Sequence, residues 1–338
     1  MQEQLKQHEL RMRRNIKRAQ AFETIGKFWT LAVFLIIVTS FSLFQPRMLS
    51  LDYWKSTFSY MTEIIILGIG EGMVMIGGCI DLSIGALSGL VGVISAITIK
   101  GLVPVVGVGW AIVMGIAMGL ATGVLMGFIN GLIVSRMKLS PFLATIGTMG
   151  ACAGLSLVFS RGTEVAGLPR VLGTFANYKI VDFVTPNILV GWAILLVFIF
   201  ILHKTRFGLH TYAVGSSHEA LTRSGVDADR HITRLYMISG LMGAFSGILL
   251  MMRFVSASPL TGSTSQLTAV AAAAIGGVSS RGGVGRAEGI LLGALIISVV
   301  MTGLVLINVP TYWQQVAVGV IIVLSVYMDQ FSSRAQLR

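Results

Sequence analysis

Residues 105–134 read VVGVGWAIVMGIAMGLATGVLMGFINGLIV, thirty positions without a charged side chain. Apolar residues follow one another here without the strict alternation of a half-buried strand, and the run is long enough to cross the hydrocarbon layer of a bilayer. No water reaches backbone amides inside that layer, so the segment must satisfy them within itself, as a helix does. Gly115, Gly119, Gly123, Gly127 and Gly131 recur every four positions, which places them along one helix face. Small residues there let helix backbones approach closely, so the spacing predicts a packing seam.

The rest of the chain is of the same kind. Its 338 residues are 54% hydrophobic and 12% charged, whereas soluble domains carry about a quarter charged residues, and the mean hydropathy is +0.83. Further apolar stretches fall near 28–44, 60–80, 83–99, 141–160, 187–203, 232–252, 265–278, 287–307 and 312–328. The expectation is an all-α polytopic membrane protein of about ten transmembrane helices. The stretches 83–99 and 265–278, short and rich in Gly, Ala and Ser, read as broken or partial helices. An internal echo pairs Ile76-Gly77-Gly78 with Ile275-Gly276-Gly277, and the ladder at 119–127 with Gly285, Gly289 and Gly293. A two-fold repeat with facing broken helices would leave such a trace.

The formal net charge is +11, and the basic residues sit between apolar runs. Lys6, Arg11, Arg13, Arg14, Lys17, Arg18 and Lys27 precede the first span, while Lys204, Arg206, Arg223, Arg230 and Arg234 crowd one mid-chain stretch. Arg136, Lys138, Arg334 and Arg338 complete the pattern. The positive-inside rule then puts the tails 1–27 and 329–338 and the loop 204–231 in the cytoplasm, with the membrane domain at 28–328. The segment 161–186 falls outside, a solvated loop with a short helix that either connects two spans or receives an external partner. The first 27 residues are too charged to begin a cleavable signal, so 28–44 reads as a permanent span. No aromatic residues interleave with the basic ones for base stacking, which argues against nucleic acid. Cys79 and Cys152 show no metal-type spacing and read as small buried hydrophobes.

Chemistry concentrates in Gly77-Gly78-Cys79-Ile80-Asp81-Leu82-Ser83-Ile84-Gly85-Ala86. A carboxylate at membrane depth costs on the order of 3 kcal/mol, so Asp81 needs a reason. It either caps the next helix, accepting from the freed amides of the Leu82 to Ile84 turn, or lines a solute path with Ser83. Glu63 and Glu71, eight residues apart in the second span, read as an interfacial snorkelling group and a polar inter-helix contact, with a proton relay as the alternative. Asn130, Thr145, Thr148, Gln266 and Thr268 are uncharged polar residues in apolar surroundings. They suit a hydroxyl-rich solute and suit helix-to-helix hydrogen bonding equally.

The 204–231 loop carries an apolar stripe on a charged background. A short helix from Ser217 to Ser224, closed by Gly225, would present Ala220 and Leu221 to a partner's groove while Glu219 and Arg223 stay wet. The alternative is a helix lying on the membrane surface. No Gly-x-x-x-x-Gly-Lys-Ser/Thr loop occurs, and the lone Gly26-Lys27 lacks a phosphate cradle, so the chain is not expected to hydrolyse ATP. Nor do the spans carry a catalytic constellation.

Several of these stretches resemble the ribose-type permeases of sugar ABC importers, whose branch includes xylose, galactose, arabinose, allose and autoinducer-2 systems. The resemblance rests on Gly77 to Ala86, on Asn130-Gly131-Leu132 with Pro141-Phe142-Leu143-Ala144-Thr145-Ile146-Gly147-Thr148-Met149, on Tyr212-Ala213-Val214-Gly215, and on Ala274-Ile275-Gly276-Gly277-Val278-Ser279-Ser280-Arg281-Gly282-Gly283. It runs from about residue 45 to 328. It implies a permease dimer, of two copies or of related chains, bound to an ABC ATPase, often a fused double ATPase that holds the ATP and Mg. Cargo would come from a periplasmic sugar-binding protein. This chain itself would bind no cofactor. By the same resemblance the 204–231 loop is the coupling element. Gly215, Glu219, Ala220 and Gly225 match the pattern there, whereas Ser217 and Leu221-Thr222 depart from it.

Overall fold

The computed structural model describes residues 34–181 and 184–336, with side chains to residue 324. The basic tail 1–27, the start of the expected first span and Asp182 lie outside the described residues. α1 (Phe34–Phe44) leads through a 3-10 turn (Pro46–Leu49) into α2 (Leu51–Ile76), α3 (Ile84–Ser135), α4 (Pro141–Ser160), α5 (Val171–Ala176) and α6 (Pro186–Lys204). α7 (Arg206–Ser216), α8 (His218–Arg223), α9 (Ala228–Phe254), α10 (Ser265–Ile275), α11 (Ala287–Leu306) and α12 (Thr311–Gln336) follow. No strand forms among the described residues, so the protein is all-helical. Six helices, α2, α3, α4, α6, α9 and α11, are long and apolar enough to cross a membrane.

α3 corrects the expectation of a short broken helix at 83–99. Helix runs on to Pro104, and the break falls at Gly107, with φ 78° and ψ 167°. Only glycine reaches that conformation without strain, and Pro104 withholds a helix-bonding N–H just before it. Gly115 then packs on Ile99, and Gly119 on Ser95 and Val91. Positions ever further from Gly107 therefore meet, and α3 is an antiparallel hairpin of two membrane-length arms. The second arm carries the glycine ladder onto α9: Gly123 lies on Gly240 and Ala244, Gly127 on Tyr236 and Met237, Gly131 on Thr233. The expected packing seam is thus present, with backbone against backbone.

α2 is the hub, packed against α6, α9, α10 and α11. Its most apolar window is 83% buried, against 22% for α4. α4 packs on α3 and turns Phe142, Leu143, Ile146, Leu155 and Val158 outward, as a lipid- or partner-facing helix does. The 161–186 segment holds the short helix expected of it and is pinned rather than free. Val165 and Ala257 exchange backbone bonds of 2.9 and 3.0 Å, and Asn177 Nδ2 donates to Arg253 O at 3.1 Å.

The echo noted in the sequence is an echo of two helix ends. Past α2, the amides of Gly77, Gly78 and Cys79 donate to Met73, Met75 and Val74 at 3.1, 2.9 and 3.0 Å. Past α10, Gly276, Gly277 and Val278 donate to Ala272, Ala274 and Ala273, each at 3.0 Å. Gly78 and Gly277 take φ of 78° and 81°, the left-handed closure that frees a chain to leave a helix sharply.

Candidate functional site

Three of the quoted motif segments, far apart in sequence, meet at one point. The carbonyl oxygen of Ile76, the last residue of α2, accepts from Gly283 N at 2.8 Å. Gly215 of α7 presses on the same carbonyl, so closely that a Cβ there would overlap it and Gly283 N as well. A Cβ on Gly282 would lie 2.6 Å from the Cα of Gly78 and 2.8 Å from the carbonyl oxygen of Gly215. The end of α2, the middle of the 204–231 loop and the turn after α10 are therefore joined backbone to backbone. Tyr212 adds a side-chain tie, donating to Gly285 O at 2.8 Å. Burial, with Glu288 as a lesser cause, pushes the Tyr212 hydroxyl up from its ordinary value, which keeps it a donor.

The loop forms α7 and α8 because threonine and serine cap them. Thr205 Oγ1 accepts from Gly208 N at 3.2 Å, and Ser217 Oγ accepts from Ala220 N at 3.2 Å. α8 matches the expected helix, and Gly225, at φ 87°, follows it in the left-handed region. α7 is anchored on α9 through Thr211 Oγ1 and His231 Nε2 at 3.0 Å, with the Phe207 ring 4.6 Å from that imidazole. Two of the expected partner contacts need correction. Leu221 is 4% exposed and belongs to the main core, because α8 turns its one large apolar side chain inward. Gly215 is held inside the backbone junction. Glu219, Ala220, Arg223 and Gly225 remain exposed, with Arg223 and Glu219 3.3 Å apart.

In the connection that follows α2 lies a buried polar network, in which Asn130 Oδ1 is left without a partner. Asp81 Oδ1 accepts from Ser83 N at 3.0 Å and Ser83 Oγ at 2.6 Å, and Oδ2 accepts from Ser239 Oγ at 2.7 Å. Asn130 Nδ2 donates to Ser83 Oγ at 2.8 Å, and Tyr236 OH to Ile80 O at 2.9 Å. Both oxygens of Glu71 accept from Asp81 N, at 3.2 and 3.3 Å. Asp81, Glu71, Asn130, Ser239 and Tyr236 are all completely buried. Asp81 takes the amide of Ser83 in the turn before α3, as a cap does, and ties α2 to α9, while Asn130 joins the second arm of α3 through Ser83. Among the described residues no Lys, Arg or His side chain is bonded to either carboxylate, and no three His, Cys, Asp or Glu gather as metal ligands.

The remaining candidate residues make no hydrogen bond to this network, although Gln266 packs against Gly85, two residues past Ser83. Thr145 and Thr148 return their hydroxyls to carbonyls of α4 itself, Pro141 O at 2.8 Å and Ala144 O at 3.2 Å, and Thr268 does the same to Ser265 O at 2.8 Å. Gln266 Nε2 donates to Ser263 O at 3.0 Å and lies 3.7 Å from Met149 Sδ, bridging α10 to α4. Glu63 is not a lone snorkelling group: Arg253, at the end of α9, holds it at 3.1 Å. Ser239 and Tyr236 were not legible as members of the network. Their only sequence signal is the run of small residues around them in α9, which marks a close helix contact rather than a polar one.

Residues 55–326 match the family described as branched-chain amino acid transport system / permease component. The chain is 35% identical to the ribose import permease protein of Bacillus subtilis over 317 residues, which cover 92% of this chain and 94% of that one. It is 32% identical to the galactose/methyl galactoside import permease protein of Haemophilus influenzae, over 93% and 97% of the two chains. Identity to the D-allose transport system permease protein of Escherichia coli is 30%, over 91% and 93%. No solved structure matches the chain.

Proposed function

The chain belongs to this family of transport-system permeases, on its ribose-type branch, and from that premise we propose that it is the membrane-spanning subunit of an ATP-driven importer for a small sugar. Ten crossings come from α1, α2, the two arms of α3, α4, α6, α9, α10, α11 and α12. With the basic α7–α8 loop and both tails in the cytoplasm of a bacterial inner membrane, the orientation obeys the positive-inside rule. A partner ABC ATPase, often a fused double ATPase, binds ATP and Mg and docks on the exposed face of α8, at Glu219, Ala220, Arg223 and Gly225. The sugar comes from a periplasmic binding protein. A second copy or related permease packs on the α4 side, where no atom lies within 4 Å of a Cβ placed on Gly147, Gly150 or Gly154. The solute passes between the two.

The observation that carries this reading is the junction of Ile76, Gly215 and Gly283. A loop that leaves the membrane domain is locked, without intervening side chains, to the broken connection between α2 and α3. Motion imposed on α7 and α8 by closing ATPase domains is delivered to the helices around the passage, and alternating access follows from ligands that favour one state over the other. Asp81, Ser83 and Asn130 hold those helices in register instead of touching the sugar.

Reconstitution tests this. Vesicles holding the permease, its ATPase and the binding protein accumulate labelled ribose, galactose or allose only when ATP is supplied. Accumulation by the permease alone refutes the scheme and favours an ion-coupled carrier working through Glu71 and Asp81. The description of the matched family favours one other cargo, a branched-chain amino acid. Competition by leucine or valine instead of sugars would establish it.

A further inference from the structure

Between the second arm of α3 and the start of α9 an open groove of about 510 Å³ is lined by Phe128, Leu132, Arg136, Arg230, Thr233, Arg234 and Met237. Its two halves differ in chemistry. Arg230 and Arg234 stand one turn apart on α9, on the same face, and Arg136 caps the end of α3 beside them. The contact of Gly131 with Thr233 fixes how closely the two helices, and hence the three guanidinium groups, approach. Phe128 lies two turns deeper along α3 than Arg136, about 12 Å, and is 39% exposed. With Leu132 and Met237 it forms an apolar wall running away from the charged end.

The charge in this groove is not neutralised by the protein. Arg136 and Arg234 have no carboxylate partner among the described residues, and Arg230 shares only its Nε, with Asp227 at 2.9 Å. Asp229, the other acid at this end of α9, is taken by Lys138 at 2.7 Å and His218 at 3.0 Å. Three arginines thus line one open groove with a single carboxylate pair among them, and guanidinium is the side chain best shaped for phosphate.

We propose that this groove binds one anionic phospholipid, its headgroup phosphate held by Arg136, Arg230 and Arg234 and an acyl chain lying along Phe128, Leu132 and Met237. A free phosphate or an acidic protein segment satisfies the arginines but leaves the apolar wall unused, whereas a glycerophospholipid satisfies both. Basic pockets between helices at the cytoplasmic side of a membrane take such headgroups. That this end faces the cytoplasmic leaflet rests on the orientation proposed above; the binding itself does not.

The test uses the full chain, purified in detergent without ATPase and titrated with phosphatidylglycerol or phosphatidylethanolamine, with retained lipid counted by native mass spectrometry. Phosphatidylglycerol is retained in preference to phosphatidylethanolamine. The double variant Arg136→Gln/Arg234→Gln loses affinity on the order of ten-fold or more, while Lys204→Gln/Arg206→Gln, which removes equal charge at the same end, does not. Leu132→Trp, which fills the apolar half and leaves the arginines intact, also lowers retention. Each variant is checked for unchanged elution and thermal unfolding, so misfolding is read separately. Equal retention by both double variants overturns the proposal. So does displacement of the lipid by inorganic phosphate alone. If Arg136→Gln/Arg234→Gln keeps its lipid in that titration but, in a separate pull-down, no longer captures the ATPase, the arginines serve a protein partner and the proposal falls. Because no transport is measured, failure of the sugar-import reading leaves this result standing.

Discussion

The backbone of Gly215 lies against the carbonyl oxygen of Ile76, in the space a Cβ would need. That oxygen is also the acceptor for Gly283 N at 2.8 Å, so α7 cannot slide on the end of α2 without disturbing the turn after α10. Where Gly215 meets Ile76 the contact is backbone on backbone, with no side chain between them to absorb a displacement.

Gly215→Ala is therefore expected to push α7 away from Ile76. Overpacking of this sort costs about 1–3 kcal/mol, visible as a lower midpoint of thermal unfolding in detergent. ATP-driven uptake should fall while the ATPase still co-purifies, because the exposed face of α8 is untouched. Wild-type uptake and stability in this variant would remove the junction from the mechanism.

α8 separates two kinds of residue that are adjacent in sequence. Leu221→Ala removes a side chain from the main core, and truncations of that kind cost about 2–5 kcal/mol where the site cannot collapse. Glu219 and Arg223 form a pair whose side chains are 81% and 82% exposed, and such pairs add little to stability. Replacing either with Ala should leave the unfolding midpoint in place and weaken capture of the ATPase in a pull-down. A destabilised Glu219→Ala, or a stable Leu221→Ala with weakened capture, would reverse the assignment.

The all-helical fold was readable because the lipid solvent enforces it: thirty uncharged residues at 105–134 leave few options for a backbone. The turn at Gly107 was not, since in a chain with 40 glycines one glycine inside an apolar run does not announce which φ it will take. The cap expected of Asp81 was visible from two preceding glycines and a following serine. Its partners Ser239 and Glu71 were not, because hydrogen bonds between residues 158 and 10 positions apart are set by how helices dock. The misreading of Leu221 has a similar cause. On a helix as short as α8 the apolar stripe does not tell which side the protein will cover and which it will leave open.

Glu63, at the middle of α2, and Arg253, at the end of α9, join these two helices, with side chains 17% and 28% exposed and 3.1 Å apart. A partly buried pair is worth little relative to a well-packed apolar pair, yet breaking it leaves one charge stranded. Arg253→Met is expected to lower stability by about 1–3 kcal/mol, and Glu63→Gln/Arg253→Met to recover part of that loss. Thermal unfolding of both single variants and the double gives the coupling. Strictly additive losses would mean that the two side chains act independently.

Asp81 distinguishes a structural latch from a coupling charge. Its carboxylate accepts from Ser83 N, Ser83 Oγ and Ser239 Oγ, and all of these groups are buried. Asp81→Ala strands those donors, at about 1–3 kcal/mol for each group left unsatisfied, so the variant should unfold at a much lower temperature or fail to accumulate in the membrane. Asp81→Asn keeps an amide oxygen for Ser83, and its NH2 can donate to Ser239 once that hydroxyl rotates to accept, since a hydroxyl serves either role. The amide variant should therefore fold and transport sugar at a rate close to wild type when ATP is supplied. In a carrier driven by ion or proton binding at this position, the order would be different: Asp81→Asn would fold normally and transport nothing. Uptake by well-folded Asp81→Asn in ATP-loaded vesicles thus decides whether the carboxylate carries charge through the cycle or holds α2, α3 and α9 in register.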